Sequence, residues 1–420
     1  MQQQPGLRRA MGGFDATTVG VGAMIGAGAF VIFAPAAAAA GPLLPLAVVI
    51  AGFVAYCNAS ATASLAVRYP SSGGTYLYGR EQLGHWTGFV AGWGFVTGKL
   101  ASCAAMALTF GLYAAPGAEK PAAVAAVVAL TTVNLLGVTR TALATRAIVS
   151  LVVPVLAFVI VVGFSTPPAR ESLAGGVPGP GGVLQASALL FFAFAGYARI
   201  ATMGEEVREP RRNIPAAIFG ALGFTALLYL LLALSLLHAL GVGALADATA
   251  PLRDVMDVAV PGEGSTGRGG AVVTLAAALA SLGALLALIA GVGRTTLAMA
   301  RGRDLPHVFA RVSARFGVPW AADTAAAVVV IVLLLATDVL TVVGFSSFGV
   351  LLYYAIANVS AFTLTERQWY SPRWLNVVGA ACCLVLAFTL PPVSVLTMLA
   401  VLAMGVAARA LVLALRRRRA

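Results

Sequence analysis

Charge is scarce in this sequence, and acid is the scarcer sign. Of 420 residues only 10% are Asp, Glu, Lys or Arg, against about 25% in soluble domains. Acidic residues number 15 and basic ones 27, for a formal net charge of +12. A soluble enzyme of this length needs more polar surface than that. Histidine is limited to His85, His238 and His307, without an H-E-x-x-H pattern, so neither a metal site nor metal catalysis is expected. The four cysteines, Cys57, Cys103, Cys382 and Cys383, sit in apolar runs. Their spacing suits neither zinc nor a secreted disulfide framework, and they read as reduced packing residues. No basic stretch is interleaved with exposed aromatics, which argues against nucleic-acid binding despite a pI near 10.1.

What the chain has instead is apolar length: 60% of it is hydrophobic and its mean hydropathy is +0.93. A membrane span takes about 20 mainly apolar residues. Twelve segments qualify: 13–40, 42–66, 86–113, 121–137, 143–165, 184–206, 214–241, 269–297, 319–337, 340–364, 374–390 and 392–415. Twelve spans put both termini on one side. Alternate connections collect the arginines, among them Arg68, Arg80, Arg140, Arg146, Arg208, Arg211, Arg212, Arg294, Arg301 and Arg303. The opposite set holds only Lys120, Arg170, Arg253 and Arg268. By the positive-inside rule both ends are cytoplasmic, in a plasma or inner membrane. Residues 1–11 read as a cytoplasmic tail rather than a signal peptide. The terminal run Arg416–Arg419 reads as an anchor at the anionic inner leaflet. Residues 242–268 form the longest outer loop, with a short surface helix, and 67–85 and 298–318 form polar inner connections.

Two spans carry interruptions. In the first, Gly22, Gly26 and Gly28 fall within two turns, and each weakens a helix by about 1 kcal/mol relative to alanine. Backbone that opens at membrane depth must line a cavity. A half-helix restarting after Gly26 would present N–H groups and a positive dipole end to an anion such as a carboxylate. The competing reading is a small-residue helix-packing face. In the sixth span, Phe191 to Arg199 contains Phe194-Ala195-Gly196-Tyr197-Ala198. It lies five spans after the first, so spans 1–5 and 6–10 would be two halves of opposite orientation. Paired interruptions in corresponding helices point to a transporter's midplane site.

Four stretches in order carry a resemblance. They are Gly20 to Phe30 with Ala40-Gly41-Pro42; Tyr69-Pro70-Ser71-Ser72-Gly73-Gly74 through Glu81; Phe194 to Tyr197 with Glu205-Glu206-Val207-Arg208-Glu209-Pro210; and Arg294 through Ala298-Met299-Ala300-Arg301 to Pro306. Over essentially its full length the chain resembles the amino acid–polyamine–organocation permeases. The resemblance implies an all-α polytopic fold of twelve transmembrane helices. Ten of them, within residues 1–364, form a 5+5 inverted repeat with broken helices 1 and 6. Residues 365–420 add helices 11 and 12 and the basic tail. It also implies a secondary active amino acid permease. Ile25, Gly26, Ala27 and Gly28 would bind the substrate carboxylate, and the carbonyls around Phe194, Ala195 and Ala198, beside Gly196, would take its amino group. Phe194 or Tyr197 would cover the side chain, and Glu206 and Arg208 would belong to a cytoplasmic gate.

The chain departs from that pattern in its coupling residues. Some proton-coupled relatives carry a lysine in helix 5, whereas Val149 to Pro154 holds none. Ser281 in helix 8 lacks the adjacent hydroxyl of a sodium site. Lys99, near the centre of the third span, is the candidate substitute for the missing lysine, with protons the implied coupling partner. Trp93 to Leu100 imitates the end of a phosphate loop but lacks its first glycine and terminal hydroxyl, so no nucleotide or other cofactor is expected. The substrate reads as neutral rather than cationic, since Lys99 and Arg199 would repel a basic side chain. A polyamine or cationic amino acid exchanger is the alternative. A channel or a membrane-embedded enzyme fits less well, the latter for want of converging acid–base groups at depth.

Overall fold

The computed structural model describes residues 11–70, 73–137, 141–169, 179–201, 207–259 and 267–417. Among these residues the regular structure is all helical, with one isolated bridge between Met11 and Val207. Helix α1 comes in three pieces, Gly13–Met24, Ala27–Val31 and Phe33–Ala40. It is followed by α2 (Leu44–Arg68), α3 (His85–Ala114), α4 (Glu119–Leu135) and α5 (Thr141–Ser165). Helix α6 runs over Pro180–Phe194, tightens to a 3-10 turn at Ala195–Tyr197 and resumes at Ala198–Ala201. Then come α7 (Pro210–Asp247), α8 (Arg268–Arg301), α9 (Trp320–Ala336), α10 (Val339–Phe362), α11 (Arg373–Thr389) and α12 (Pro392–Arg417).

Local chemistry accounts for several ends. Gly41, at φ 52, makes the turn between α1 and α2 that a side chain would strain. The Asp338 carboxylate accepts the Thr341 N–H at 2.7 Å and starts α10. Gly241, at φ 75, kinks α7 where the expected span ends. Among the described residues eight helical segments are long and apolar enough to cross a membrane, and Trp320–Ala336 and Arg373–Thr389 are shorter apolar helices. Outward-facing residues such as Val161, Leu227, Leu275, Val332 and Leu396 are exposed and apolar, as a lipid-facing surface requires. The polar connections 67–85 and 242–268 each hold a short helix, Gly74–Leu83 and Pro251–Ala259.

The packing reveals the repeat. Helices five apart in order pack together: α1 with α6, α2 with α7, α3 with α8, and α4 with α9. Many of the other neighbours map onto one another when five is added to each number. Thus α1–α7 corresponds to α6–α2, α2–α10 to α7–α5, α3–α10 to α8–α5, α3–α9 to α8–α4, and α1–α5 to α6–α10. A half of five spans must enter the second half from the opposite face, so the repeat is inverted. Buried polar pairs pin α10 to the first half. Asn358 donates to Asn58 at 2.6 Å, and the Ser102 and Ser346 hydroxyls lie 2.6 Å apart. Helices α11 and α12 lie outside the repeat, α11 against α2 and α10, α12 against α3 and α10.

Candidate functional site

Helix α1 opens where the glycines foretell. Ile25 leaves helical geometry (φ −78, ψ 73) and Gly26 is extended (φ −122, ψ −141) before the helix restarts at Ala27. The Gly26 N–H turns back to the Met24 carbonyl at 2.9 Å. The Ala27 N–H, first of the restarted helix, donates to the Met106 Sδ of α3 at 3.0 Å. A thioether is a weak acceptor, so a stronger one would displace it readily. Tyr229 of α7 donates to the Met24 carbonyl at 2.7 Å and holds the other lip of the break.

Helix α6 behaves differently from α1. Its interruption tightens into a 3-10 turn instead of opening, because Gly196 is wedged against the Ala23–Met24 backbone. A Cβ there would stand 2.6 Å from the Met24 nitrogen and collide with the Ala23 carbonyl. The Ala195 carbonyl accepts the Tyr354 hydroxyl of α10 at 3.3 Å. Gly28 makes the second close approach, with a Cβ position 2.7 Å from Ala193 Cα. The two interruptions are therefore joined backbone to backbone.

Beside this junction lies a cavity of about 70 Å³ between α1, α3, α6 and α8. It is lined by Ala23, Phe95 and Lys99, by Ala195, Gly196, Ala198 and Arg199, and by α8 from Ala284 to Thr295, including Arg294. Ala284 also touches the break, 2.9 Å from the Cβ position of Gly26. Lys99 is 7% exposed, its ammonium 5.9 Å from the centroid of Phe95.

The structure brings some of the expected residues together and sets others apart. Ala195, Gly196, Ala198 and Lys99 share the cavity, and Gly26 adjoins it through Ala284. Ile25 and Ala27 are buried at the break. The rings of Phe194 and Tyr197 are fully buried elsewhere. Phe194 packs edge-on to Tyr229 at 5.3 Å, and Tyr197 stacks on Tyr354 at 5.2 Å. Ser281 is buried in α8 outside the cavity lining. Arg208 is exposed, and its N–H donates to the Met11 carbonyl at 2.9 Å, tying the chain before α1 to the connection before α7. Glu206 lies outside the described residues.

Two ionisable groups bear on the site that the sequence did not single out as site residues. Arg294 lines the cavity, and Asp323 of α9 is fully buried beside it. Asp323 accepts a hydrogen bond from Asn134 of α4 at 2.8 Å. Asp323 stands in the first turn of α9, where a carboxylate also complements the helix dipole.

A further cluster sits at the arginine-rich end. Asp304 receives Arg409 of α12 at 2.6 Å and the Tyr76 hydroxyl at 2.8 Å, with Arg80 at 3.8 Å. The Arg409 guanidinium also stacks on Trp86 and Phe89, 4.4 and 4.8 Å from their centroids. Burial, aided by the neighbouring carboxylate, pushes the Tyr76 hydroxyl up to about 12.

The amino acid permease family profile matches residues 11–407. The chain belongs to that family. An uncharacterized transporter of Mycobacterium tuberculosis is 52% identical over 410 residues, 96% of this chain and 91% of the relative. Cationic amino acid transporter 7, chloroplastic, of Arabidopsis thaliana is 29% identical over 399 residues, 88% of this chain and 68% of the relative. The branched-chain amino acid permease of Bacillus subtilis is 26% identical over 400 residues, 89% of this chain and 84% of the relative. The permease's relatives thus bear names for both cationic and neutral substrates.

Proposed function

We propose that this permease is a secondary active amino acid transporter of the plasma membrane with both termini cytoplasmic. The substrate sits at mid-membrane between α1 and α6, and the ten-helix repeat alternates access around it. One observation carries the reading: α1 opens at Ile25–Gly26 directly after the Ala23–Met24 backbone that lies against Gly196 of α6, beside a cavity that runs between them and α8. The Ala27 N–H, now capped by Met106 Sδ, would receive the substrate carboxylate. The carbonyl of Ala195 would exchange Tyr354 for the substrate amino group. Ile25, Gly26 and Gly28 shape the break, while Phe194 and Tyr197 act as supports behind it. Glu206 and Arg208 belong to the cytoplasmic gate. Lys99 is the coupling group and protons the coupled ion, since Ser281 stands outside the cavity.

Three basic side chains around one cavity disfavour polyamines and cationic amino acids. A channel would need a continuous polar pore, whereas the joined breaks of α1 and α6 suit a carrier. The deciding experiment is a thermal-shift screen of the twenty amino acids on purified protein, followed by uptake of the hits into vesicles at two pH values. A saturable, stabilising amino acid supports the proposal. A panel without a single stabilising amino acid defeats it.

A further inference from the structure

A groove on the outside of the helix bundle shares no lining residue with the central cavity. Its volume is about 870 Å³, and it runs between α2, α7 and the connection that joins α10 to α11. Arg211 and Arg212, both exposed, line it from the first turn of α7. No acidic side chain is among the described residues that line it. Further along α7 the wall is apolar. Arg212, Ala216, Phe219 and Ala226 recur at helical spacing and share one stripe of the helix.

The opposite wall is built of rings. Tyr56 of α2 lies 5.7 Å from Phe219, Phe219 lies 5.3 Å from Tyr370, and Tyr370 lies 5.7 Å from Trp369, centroid to centroid. The Ser60 hydroxyl of α2 donates to the Tyr370 carbonyl at 2.5 Å and fastens the connection in place. Phe53 of α2 and Phe224 of α7 are exposed on the same two helices, so the groove faces hydrocarbon. The bilayer core holds no water, and a groove that faces it fills with acyl chain.

Length and charge identify the occupant. From Arg212 to Ala226 α7 rises about 21 Å, and half of a bilayer with its headgroups measures about 20–22 Å. One lipid lying along α7 therefore spans the groove from end to end. Tryptophan and tyrosine settle at the headgroup level, and Trp369 and Tyr370 belong to the connection that leaves α10 on the side where α7 begins.

Going beyond the permease reading, we infer that this groove binds one anionic phospholipid, its phosphate received by Arg211 and Arg212 and one acyl chain laid along Ala216 and Ala226. Each guanidinium has five N–H donors, enough to hold a phosphate beside another contact, and its fork matches phosphate geometry. A zwitterionic lipid offers the same phosphate but brings its own cation against the guanidinium groups. A soluble anion would leave the apolar length of the groove unused.

The test is native mass spectrometry on the delipidated full-length protein, titrated with phosphatidylglycerol, phosphatidylcholine of the same chains, and glycerol phosphate. The first phosphatidylglycerol should bind at least fivefold more tightly than phosphatidylcholine, and glycerol phosphate should not bind over the same range. Arg211→Gln combined with Arg212→Gln should bring the two lipids within about twofold of each other. Replacing Arg416 to Arg419 with glutamine, which removes the attraction of the basic tail, should leave the preference intact. Ala226→Trp, which fills the apolar end, should weaken both lipids and keep their ratio. Equal binding of the two lipids by wild type overturns the inference, as does a preference that survives in the Arg211 and Arg212 variant or disappears with the tail. Glycerol phosphate binding as tightly as the lipid overturns it in favour of a soluble anion. A lipid-free dimer that Ala226→Trp splits overturns it in favour of an interface between copies. Should Ala226→Trp fail to fold, the lipid preference of wild type and of the arginine variants still decides. The transported substrate enters none of these measurements, so the permease reading stands or falls separately.

Discussion

Gly196 of α6 stands against the Ala23–Met24 backbone of α1, leaving no room for a methyl group: an added Cβ would lie 2.6 Å from the Met24 nitrogen. Both partners are backbone, so neither can swing aside. Gly196→Ala is expected to cost at least the 1–3 kcal/mol typical of overpacking and to abolish transport. Gly223→Ala, with open space around its Cβ position, should leave melting temperature and uptake unchanged. Equal behaviour of the two variants would mean that the junction is not tight in the membrane.

The glycines of α1 should separate by mechanism. A Cβ on Gly28 would meet Ala193 Cα at 2.7 Å, whereas one on Gly26 would meet the Met106 sulfur and the Ala284 methyl at 2.9 Å. A methionine side chain can shift, but backbone cannot. Gly26→Ala should therefore keep most of its folded yield and lose ligand-induced stabilisation, and Gly28→Val should lose folded protein. Fluorescence size-exclusion profiles together with thermal shift separate the outcomes. Ligand stabilisation retained in Gly26→Ala would return that residue to a packing role.

The break in α1 was legible because three glycines cluster in one apolar run, and backbone propensity is a local property. The interruption in α6 was legible in position but not in form. Its single glycine marks a close approach, and only the partner backbone shows why the turn tightens rather than opens. A 3-10 turn also advances side chains by about 120° per residue instead of 100°, which changes the direction of Tyr197 relative to an unbroken helix. Arg294 was counted with the inner arginines because it lies two turns from the end of α8, where a basic residue normally snorkels. The small-residue stripe Ala284, Ala287, Gly291 and Thr295 on its face was the available signal. Asp323 was visible as a lone acid, but its neighbours Asn134 and Arg294 come from helices far away in sequence.

Topology follows from the arginine distribution and is directly testable. Single cysteines placed in 244–258 should react with an impermeant reagent from outside the cell. Cysteines placed in 207–213 should react only after permeabilisation. The reverse pattern would overturn the assignment of the inner face.

The Asp304 cluster fastens the peripheral helix α12 to the transport core. Asp304 and Arg409 expose only 5% and 8% of their side chains, so solvent screens their pairing little. Removing one partner of a buried pair strands the other, at about 3–5 kcal/mol. Asp304→Ala should lower the melting temperature strongly, and Arg409→Lys should recover only part of the loss of Arg409→Ala, because lysine lacks the planar surface stacked on Trp86 and Phe89. Arg315→Gln, an exposed control, should have no effect. Full rescue by Arg409→Lys would reduce the contact to simple charge.

Lys99 lies roughly 20 Å of helix rise into α3 from its start at His85, the depth from which snorkelling to either interface is hardest. Among the described residues it has neither an ion-pair nor a hydrogen-bond partner, and it faces Phe95 and the cavity instead. A lysine kept there only to cap a broken helix would be expected to donate to one of its carbonyls. The coupling role is read from pH at a single substrate. Wild-type uptake should rise with an inward proton gradient. Lys99→Met should retain residual uptake or exchange that is flat across the same pH range. Proteoliposomes with imposed gradients provide the measurement. A Lys99→Met protein that transports with the wild-type pH profile rules the coupling role out, and one that never folds assigns Lys99 to structure.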